Sequence, residues 1–254
     1  ASDASAPAVE GDPVPSPASP GTVTALVPAR DEEESLPLLL EALARDAPGV
    51  DALVVDNGST DATAEEALDH GAQLVREPRP GYGRACRAGL RALARRARPP
   101  DVVVFVDADD LLAPGQIGKV AGPVLRSRAE LVRGRRRSAD APGVFPHAAL
   151  GNALVSFLLR GLWAAPARDM GPFRAVRLAP LLALGLDDPA FGWYVQMDVR
   201  ALRAGWRVME VPVAFRRRER GRSKISGSAR GSLLAARGLL AALGRELARP
   251  SGAA

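Results

Sequence analysis

Between Thr22 and Asp110, short apolar runs alternate with helical patterns at a spacing that few architectures accommodate. "TVTALVPA" (22–29) reads as a strand, and a helical pattern follows from Glu33 to Arg45. "ALVVD" (52–56) is a second strand. A helix follows in "STDATAEEALDHG", with Asp61 as its candidate cap and Gly71 as its stop. "AQLVRE" (72–77) is a third strand, 81–97 a third helix and "DVVVFVD" (101–107) a fourth strand. The apolar run of that last strand is unbroken, which predicts burial on both faces. Parallel strands need crossover connections, and helices are the usual ones. The expected fold is therefore α/β, with a Rossmann-like, mostly parallel central sheet and helices on both faces.

The second half is less regular. Residues 129–136 and 206–215 read as strands, and 148–162, 193–204 and 232–247 as helices. The last helix carries Leu233, Leu234, Leu239, Leu240, Leu243 and Leu247 with arginines interleaved. Core packing explains this stripe, and a membrane-surface helix is the alternative. Residues 1–20, rich in Ala, Ser and Pro, read as a disordered leader without the apolar core of a signal peptide. The expected organisation is one domain over 21–230, with halves at 21–136 and 137–230, and then an amphipathic helix and tail over 231–254.

Composition narrows the chemistry. Cys86 is the only cysteine, and His70 and His147 are the only histidines. An intrachain disulfide, cysteine-based metal sites and multi-histidine sites are thereby excluded, and any metal must sit on oxygen, as magnesium, manganese or calcium does. The net charge is +5, but the basic residues are almost all arginine, with Lys119 and Lys224 the only lysines. In so arginine-biased a chain a generic arginine carries little weight, and a retained lysine carries more. Aromatic residues make up 4% of the chain and no recognition motif is present, so a nucleic-acid partner is not expected. No apolar run reaches the length of a bilayer span; the nearest, Leu150 to Ala165, is broken by Arg160.

In open parallel sheets, ligands bind beyond the carboxyl ends of the strands. That rule sets Pro28–Glu32, Asp56–Ser59 and Asp107–Asp110 along one rim. "VFVDADD" crowds three carboxylates there, although two like charges about 4 Å apart repel by about 1 kcal/mol even in water. If the chain turns after Asp107, then Asp107 and Asp109 can converge on one divalent ion, which removes the repulsion. The plainer alternative is acids that end a strand and cap the next helix. Gly81 and Gly83 open a helix whose amide end can approach a phosphate, or they simply form a tight turn. "GYGRACRAG" is no dinucleotide fingerprint, because it follows the third strand and lacks the third glycine.

The ordered set "VPARDEE", "VVDNGSTD", "PGYGRACRAGL", "VFVDADD", "DMGPFR", "GWYVQMDVRAL" and "RRRERGRSKISG" resembles family 2 glycosyltransferases of the GT-A fold. Within them it is most similar to the branch of polyprenyl-phosphate (dolichyl-phosphate-type) mannosyl- and glucosyltransferases, over residues 22–230. The resemblance implies a GT-A fold with a C-terminal acceptor-side subregion, and inverting transfer of a sugar from a nucleoside diphosphate sugar to a lipid phosphate. It implies that Pro28, Arg30 and Glu32 line the base and ribose, and that Asp56 faces the nucleobase. Asp107 and Asp109 would hold Mg2+ or Mn2+ and the diphosphate, with Arg136, or its neighbour Arg135, close by. Asp169 and Arg174 would shape the sugar and acceptor pocket, and Gln196 and Asp198 would form a polar pair at a helix start. Arg218, Ser223 and Lys224 would hold the acceptor phosphate.

A phosphate acceptor is already anionic, whereas a hydroxyl acceptor needs a carboxylate base, for which Asp198 and Asp169 are the candidates. The implied location is cytoplasmic, with peripheral contact at the inner face of the plasma membrane. The chain departs from its relatives at Leu111, where a polar residue is common. It also departs at Ala148–Asn152, where relatives often carry an arginine before the "GN". The second departure supports an alternative, transfer to a metabolite or glycan hydroxyl; a non-catalytic nucleotide-sugar binder is the remaining one.

Overall fold

The computed structural model describes residues 21–109, 115–136, 156–162, 168, 171–214 and 229–249. Their elements run β1 (Val23–Ala29), α1 (Leu36–Asp46), β2 (Val50–Asp56), α2 (Thr63–Asp69), β3 (Gln73–Arg76), α3 (Tyr82–Ala94), β4 (Val102–Phe105), α4 (Gln116–Leu125) and β5 (Leu131–Arg136). The chain continues through α5 (156–162), β6 (Arg174–Arg177), α6 (Leu178–Ala183), α7 (Trp193–Arg203), β7 (Val208–Val213) and α8 (Ala229–Ala248).

The seven strands form one sheet in the order β3-β2-β1-β4-β6-β5-β7. β1 pairs in parallel with β2 and β4, and β2 with β3. β6 is antiparallel to both neighbours, and β7 returns parallel to β5, so β6 alone runs against the rest. The chain builds outward from β1 to β3 and then returns to the other side of β1 to place β4. β1 and β4 are paired neighbours whose outgoing connections diverge, which makes a topological switch point where a crevice opens.

Strand alternation divides the core into two layers. Ala25, Val27, Val102 and Val104 pack with Leu36, Leu39 and Leu43 of α1 and with Val120 and Val124 of α4. Leu26, Val103 and Phe105 pack with Leu90 and Leu93 of α3, Leu181 of α6, and Trp193 and Met197 of α7. β4 is buried at all its positions, as its unbroken apolar run predicted. Burying one such Phe or Val side chain contributes about 1.5–3 kcal/mol.

α1 begins at Leu36 rather than Glu33, because residues 33–35 form a turn and Pro37 occupies the first helical turn, where its missing N–H is harmless. Asp61 does serve the start of α2: its Oδ1 accepts the Thr63 amide at 3.0 Å, one position before the helix's N-cap. β6, α4 and α6 were not legible as elements. In β6 two arginines bracket the pair Ala175–Val176 and mask its apolar character.

α8 docks on the outer side of α7. Leu243 and Ala242 are buried with Val195, Val199 and Leu159, while Leu240 and Leu247 of the same stripe stay exposed. No helix among the described residues is long and apolar enough to cross a membrane.

Candidate active site

The loop after β1 and the turn after β2 are tied together. Asp31 adopts φ 48°, a left-handed conformation that few non-glycine residues hold unaided. Its amide donates to Ser59 Oγ at 2.9 Å, and its Oδ1 accepts the Thr60 amide at 2.7 Å. The Glu32 amide donates to Thr63 Oγ1 at 2.7 Å, and Glu33 accepts the Ala62 amide at 3.0 Å. These cross-links hold "PARDEE" open beside the tip of β1. Asp56 ends β2 and turns inward, its Oδ1 accepting the Ser59 amide at 2.9 Å. The next residue, Asn57, ties the end of β2 to the β3–α3 connection: its Nδ2 donates to the Glu77 and Arg79 carbonyls at 2.9 and 2.8 Å, and its Oδ1 accepts the Gly81 amide at 2.8 Å.

Gly81 and Gly83 flank Tyr82 at the start of α3, and both serve close packing. A Cβ on Gly83 would lie 2.0 Å from the Asp188 carbonyl, and one on Gly81 would lie 2.4 Å from that of Pro189. The Arg84 amide donates to the Pro189 carbonyl at 3.3 Å, so the free amide end of α3 is met by the 187–191 loop. Gly83→Ala should therefore displace that loop, with an overpacking cost of about 1–3 kcal/mol. A thermal melt should show the midpoint falling by several degrees.

The 187–191 loop is clasped from behind. Gln196 Oε1 accepts the Asp187 and Asp188 amides at 2.8 and 2.9 Å, while its Nε2 donates to Asp187 Oδ1 at 2.6 Å and to Glu246 Oε1 at 2.8 Å. Arg200 binds both oxygens of Glu246, at 3.0 and 2.9 Å, and donates to the Leu184 carbonyl at 3.0 Å. Arg245 of α8 pairs with Asp188. Gln196 is thus fully occupied in shaping the loop that carries Phe191.

These elements enclose a cleft of about 560 Å³ at the β1/β4 switch point. Pro28, Arg30, Asp31 and Glu32 line it from the loop after β1, Asn57 and Gly81 meet in its wall, and Tyr82 and Phe191 complete it with Asp107 and Asp109 at the tip of β4. The cleft holds the expected Pro28, Arg30, Glu32, Asp107 and Asp109 together. Asp56 sits behind it and Asn57 stands in the wall.

Arg174 and Asp198 lie beneath the wall. Their side chains are 0% and 1% exposed, as Arg133 is at 1%. Asp198 Oδ2 is 3.2 Å from Arg133 Nη1 and 3.4 Å from Arg174 Nη1. Arg174 also donates to the Gly171 carbonyl at 2.8 Å and lies 4.0 Å from the centroid of the Tyr194 ring. Glu210 Oε1 stands 4.0 Å from Arg133 Nε, which adds a second carboxylate to the buried cluster. Asp169, Arg218, Ser223, Lys224 and the side chain of Arg136 lie outside the described residues, as do Leu111, the 148–152 segment and residues 1–20.

The sequence reading missed Asn57, Tyr82, Phe191 and Tyr194. One signal was available for two of them: Tyr82 and Tyr194 are the only tyrosines of the chain. Tyr82 donates to Asp107 Oδ1 at 2.7 Å. Burial first, and then the Asp107 charge, pushes the Tyr82 phenol well above its ordinary range, so it remains a neutral donor. Burial does the same to Tyr194 and to the Cys86 thiol beneath them.

A parallel sheet with a single reversed strand, and an acidic strand tip opening into a cleft at the switch point, define a protein of the GT-A class. The model of the family described as glycosyl transferase family 2 matches residues 24–176, and the chain belongs to that family. An uncharacterized glycosyltransferase of Mycobacterium tuberculosis is 44% identical over 216 residues, covering 84% of this chain and 94% of that protein. The undecaprenyl-phosphate mannosyltransferase of Micrococcus luteus is 34% identical over 229 residues, covering 81% and 88%. Among solved structures, glucosyl-3-phosphoglycerate synthase from Mycobacterium tuberculosis, in complex with Mn2+, UDP and glucosyl-3-phosphoglycerate, shares the fold. Its TM-score is 0.71 at 23% identity, over 91% of this chain and 81% of that one.

Proposed function

We propose that this glycosyltransferase moves a sugar, with inversion, from a nucleoside diphosphate sugar to a polyprenyl phosphate. The observation that carries the donor half is the shared cleft: the 28–32 loop and the Asp107/Asp109 pair face one space at the switch point. The likeness to an undecaprenyl-phosphate mannosyltransferase supports the acceptor half.

The donor set fits a hard divalent cation. Asp107 and Asp109 offer oxygen only, and no group of three or more His, Cys, Asp or Glu that could hold a metal occurs among the described residues. Two carboxylates, with diphosphate and water oxygens for the remainder, suit Mg2+ or Mn2+. When bound, the ion supplies Lewis-acid neutralisation of the departing diphosphate. Pro28, Arg30 and Glu32 orient the nucleoside across the β1 tip, with Asn57 holding the adjoining turn. Arg136 shares the diphosphate charge, and Arg218, Ser223 and Lys224 hold the acceptor phosphate in line with the anomeric carbon.

An ionised acceptor oxygen needs no strong base. That accords with Asp198 lying between Arg133 and Arg174 under the wall. Arg174 belongs to this reading as support for the pocket, and Asp169 as part of its acceptor side. A lipid acceptor brings the working enzyme to a membrane surface as a peripheral visitor.

The test is a thermal-shift panel of UDP, GDP and dTDP sugars, each with and without Mn2+, followed by transfer to a short polyprenyl phosphate. One nucleotide sugar at about 100 times its dissociation constant should stabilise the fold by about 2.7 kcal/mol, and only with the cation present. The labelled product should then extract into organic solvent. Product confined to the aqueous phase with soluble acceptors would move the acceptor to a metabolite or glycan hydroxyl.

A further inference from the structure

The two tyrosines of this chain come from elements 112 positions apart and meet hydroxyl to hydroxyl directly behind the acidic tip of β4. Each phenol has one proton to give. Tyr82 donates its own to Asp107 Oδ1 at 2.7 Å, so toward Tyr194 it accepts, and the relay runs Tyr194 to Tyr82 to Asp107. Both rings are clamped. Tyr194 meets Phe105, the last residue of β4, edge-on at 6.1 Å, with the Arg174 guanidinium over its face at 4.0 Å. Tyr82 stacks against Phe191 at 6.2 Å, and its flanking glycines are pressed against the 188–189 backbone. The phenol that reaches Asp107 thus arrives on a rigid mount, anchored partly by the strand that carries Asp107 itself.

We propose that Tyr82, backed by Tyr194, is a positioning residue that sets the plane and rotamer of the Asp107 carboxylate for the divalent cation. This rests on the cation-dependent reading of the same cleft. A metal-ligating carboxylate is itself usually hydrogen-bonded, and removing such a partner typically weakens metal binding 10–100-fold. Tyr82 is suited to the task because a neutral phenol orients the carboxylate while leaving its charge available to the ion.

The experiment titrates the full chain with Mn2+ alone, following the electron paramagnetic resonance signal of free Mn2+, in the parent, Tyr82→Phe, Tyr194→Phe and Asp109→Asn. Melting is followed in parallel without metal. The expected result is a ~10–100-fold weaker Mn2+ affinity for Tyr82→Phe. Tyr194→Phe should shift affinity less and in the same direction, Asp109→Asn should remove most binding, and both phenylalanine variants should melt within a few degrees of the parent. Tyr194→Phe leaves Tyr82 in place, so it carries the test if Tyr82→Phe does not fold. Mn2+ affinity within twofold of the parent in every folded phenylalanine variant, with Asp109→Asn impaired, would overturn the positioning role and leave the cation reading standing. Equal Mn2+ affinity in the parent and Asp109→Asn would sink the cation reading, and the inference with it.

Discussion

Asp109→Asn is expected to lower sugar transfer by about 10²–10³-fold, the loss typical when one preorganised electrostatic partner is removed from developing charge. Asparagine keeps the shape and one neutral oxygen but removes the charge that pairs with Asp107 at the tip of β4. The measurement is turnover of nucleotide sugar at saturating Mn2+, beside a metal-free melt. Turnover within a few-fold of the parent would take the cation out of the mechanism.

Asp198→Asn should act in the reverse manner, through stability. Asp198 Oδ2 is the carboxylate oxygen within reach of both Arg133 and Arg174, and all three side chains are at most 1% exposed. Removing its charge leaves Arg174 with the Gly171 carbonyl and the Tyr194 ring, inside a region where water cannot compensate. Breaking a buried ion pair from one side typically costs about 3–5 kcal/mol. For a domain of this size that lowers the melting midpoint by roughly 6–20 °C. Urea or thermal unfolding at neutral pH checks it. A variant that melts like the parent but loses turnover per folded molecule would instead make Asp198 the general base that the hydroxyl-acceptor alternative requires.

Much of the cleft was legible because its parts are local. Asp107 and Asp109 follow an apolar run that can only be an interior strand, and the rule that ligands sit beyond strand ends sets them beside the 28–32 loop. Asn57 was passed over because the resemblance points to its neighbour Asp56. In the fold Asp56 closes its own turn while Asn57 ties the end of β2 to the β3–α3 connection. The glycines around Tyr82 could be read as a phosphate approach or a tight turn. Their missing side chains in fact admit the carbonyls of Asp188 and Pro189, more than 100 positions away.

What the sequence determined by itself is the first half, β1 to β4 with its parallel strands and its acidic tip. Apolar periodicity, turn residues and crossover geometry act over a few residues or a single crossover, and those constraints suffice there. The tertiary structure alone decided that β6 runs backwards between β4 and β5, that the Asp198 carboxylate lies between Arg133 and Arg174, and that α8 grips the loop carrying Phe191. A buried charge is written in sequence like a solvated one. Its meaning comes from a partner that only long-range pairing brings within 4 Å, where desolvation makes the match obligatory.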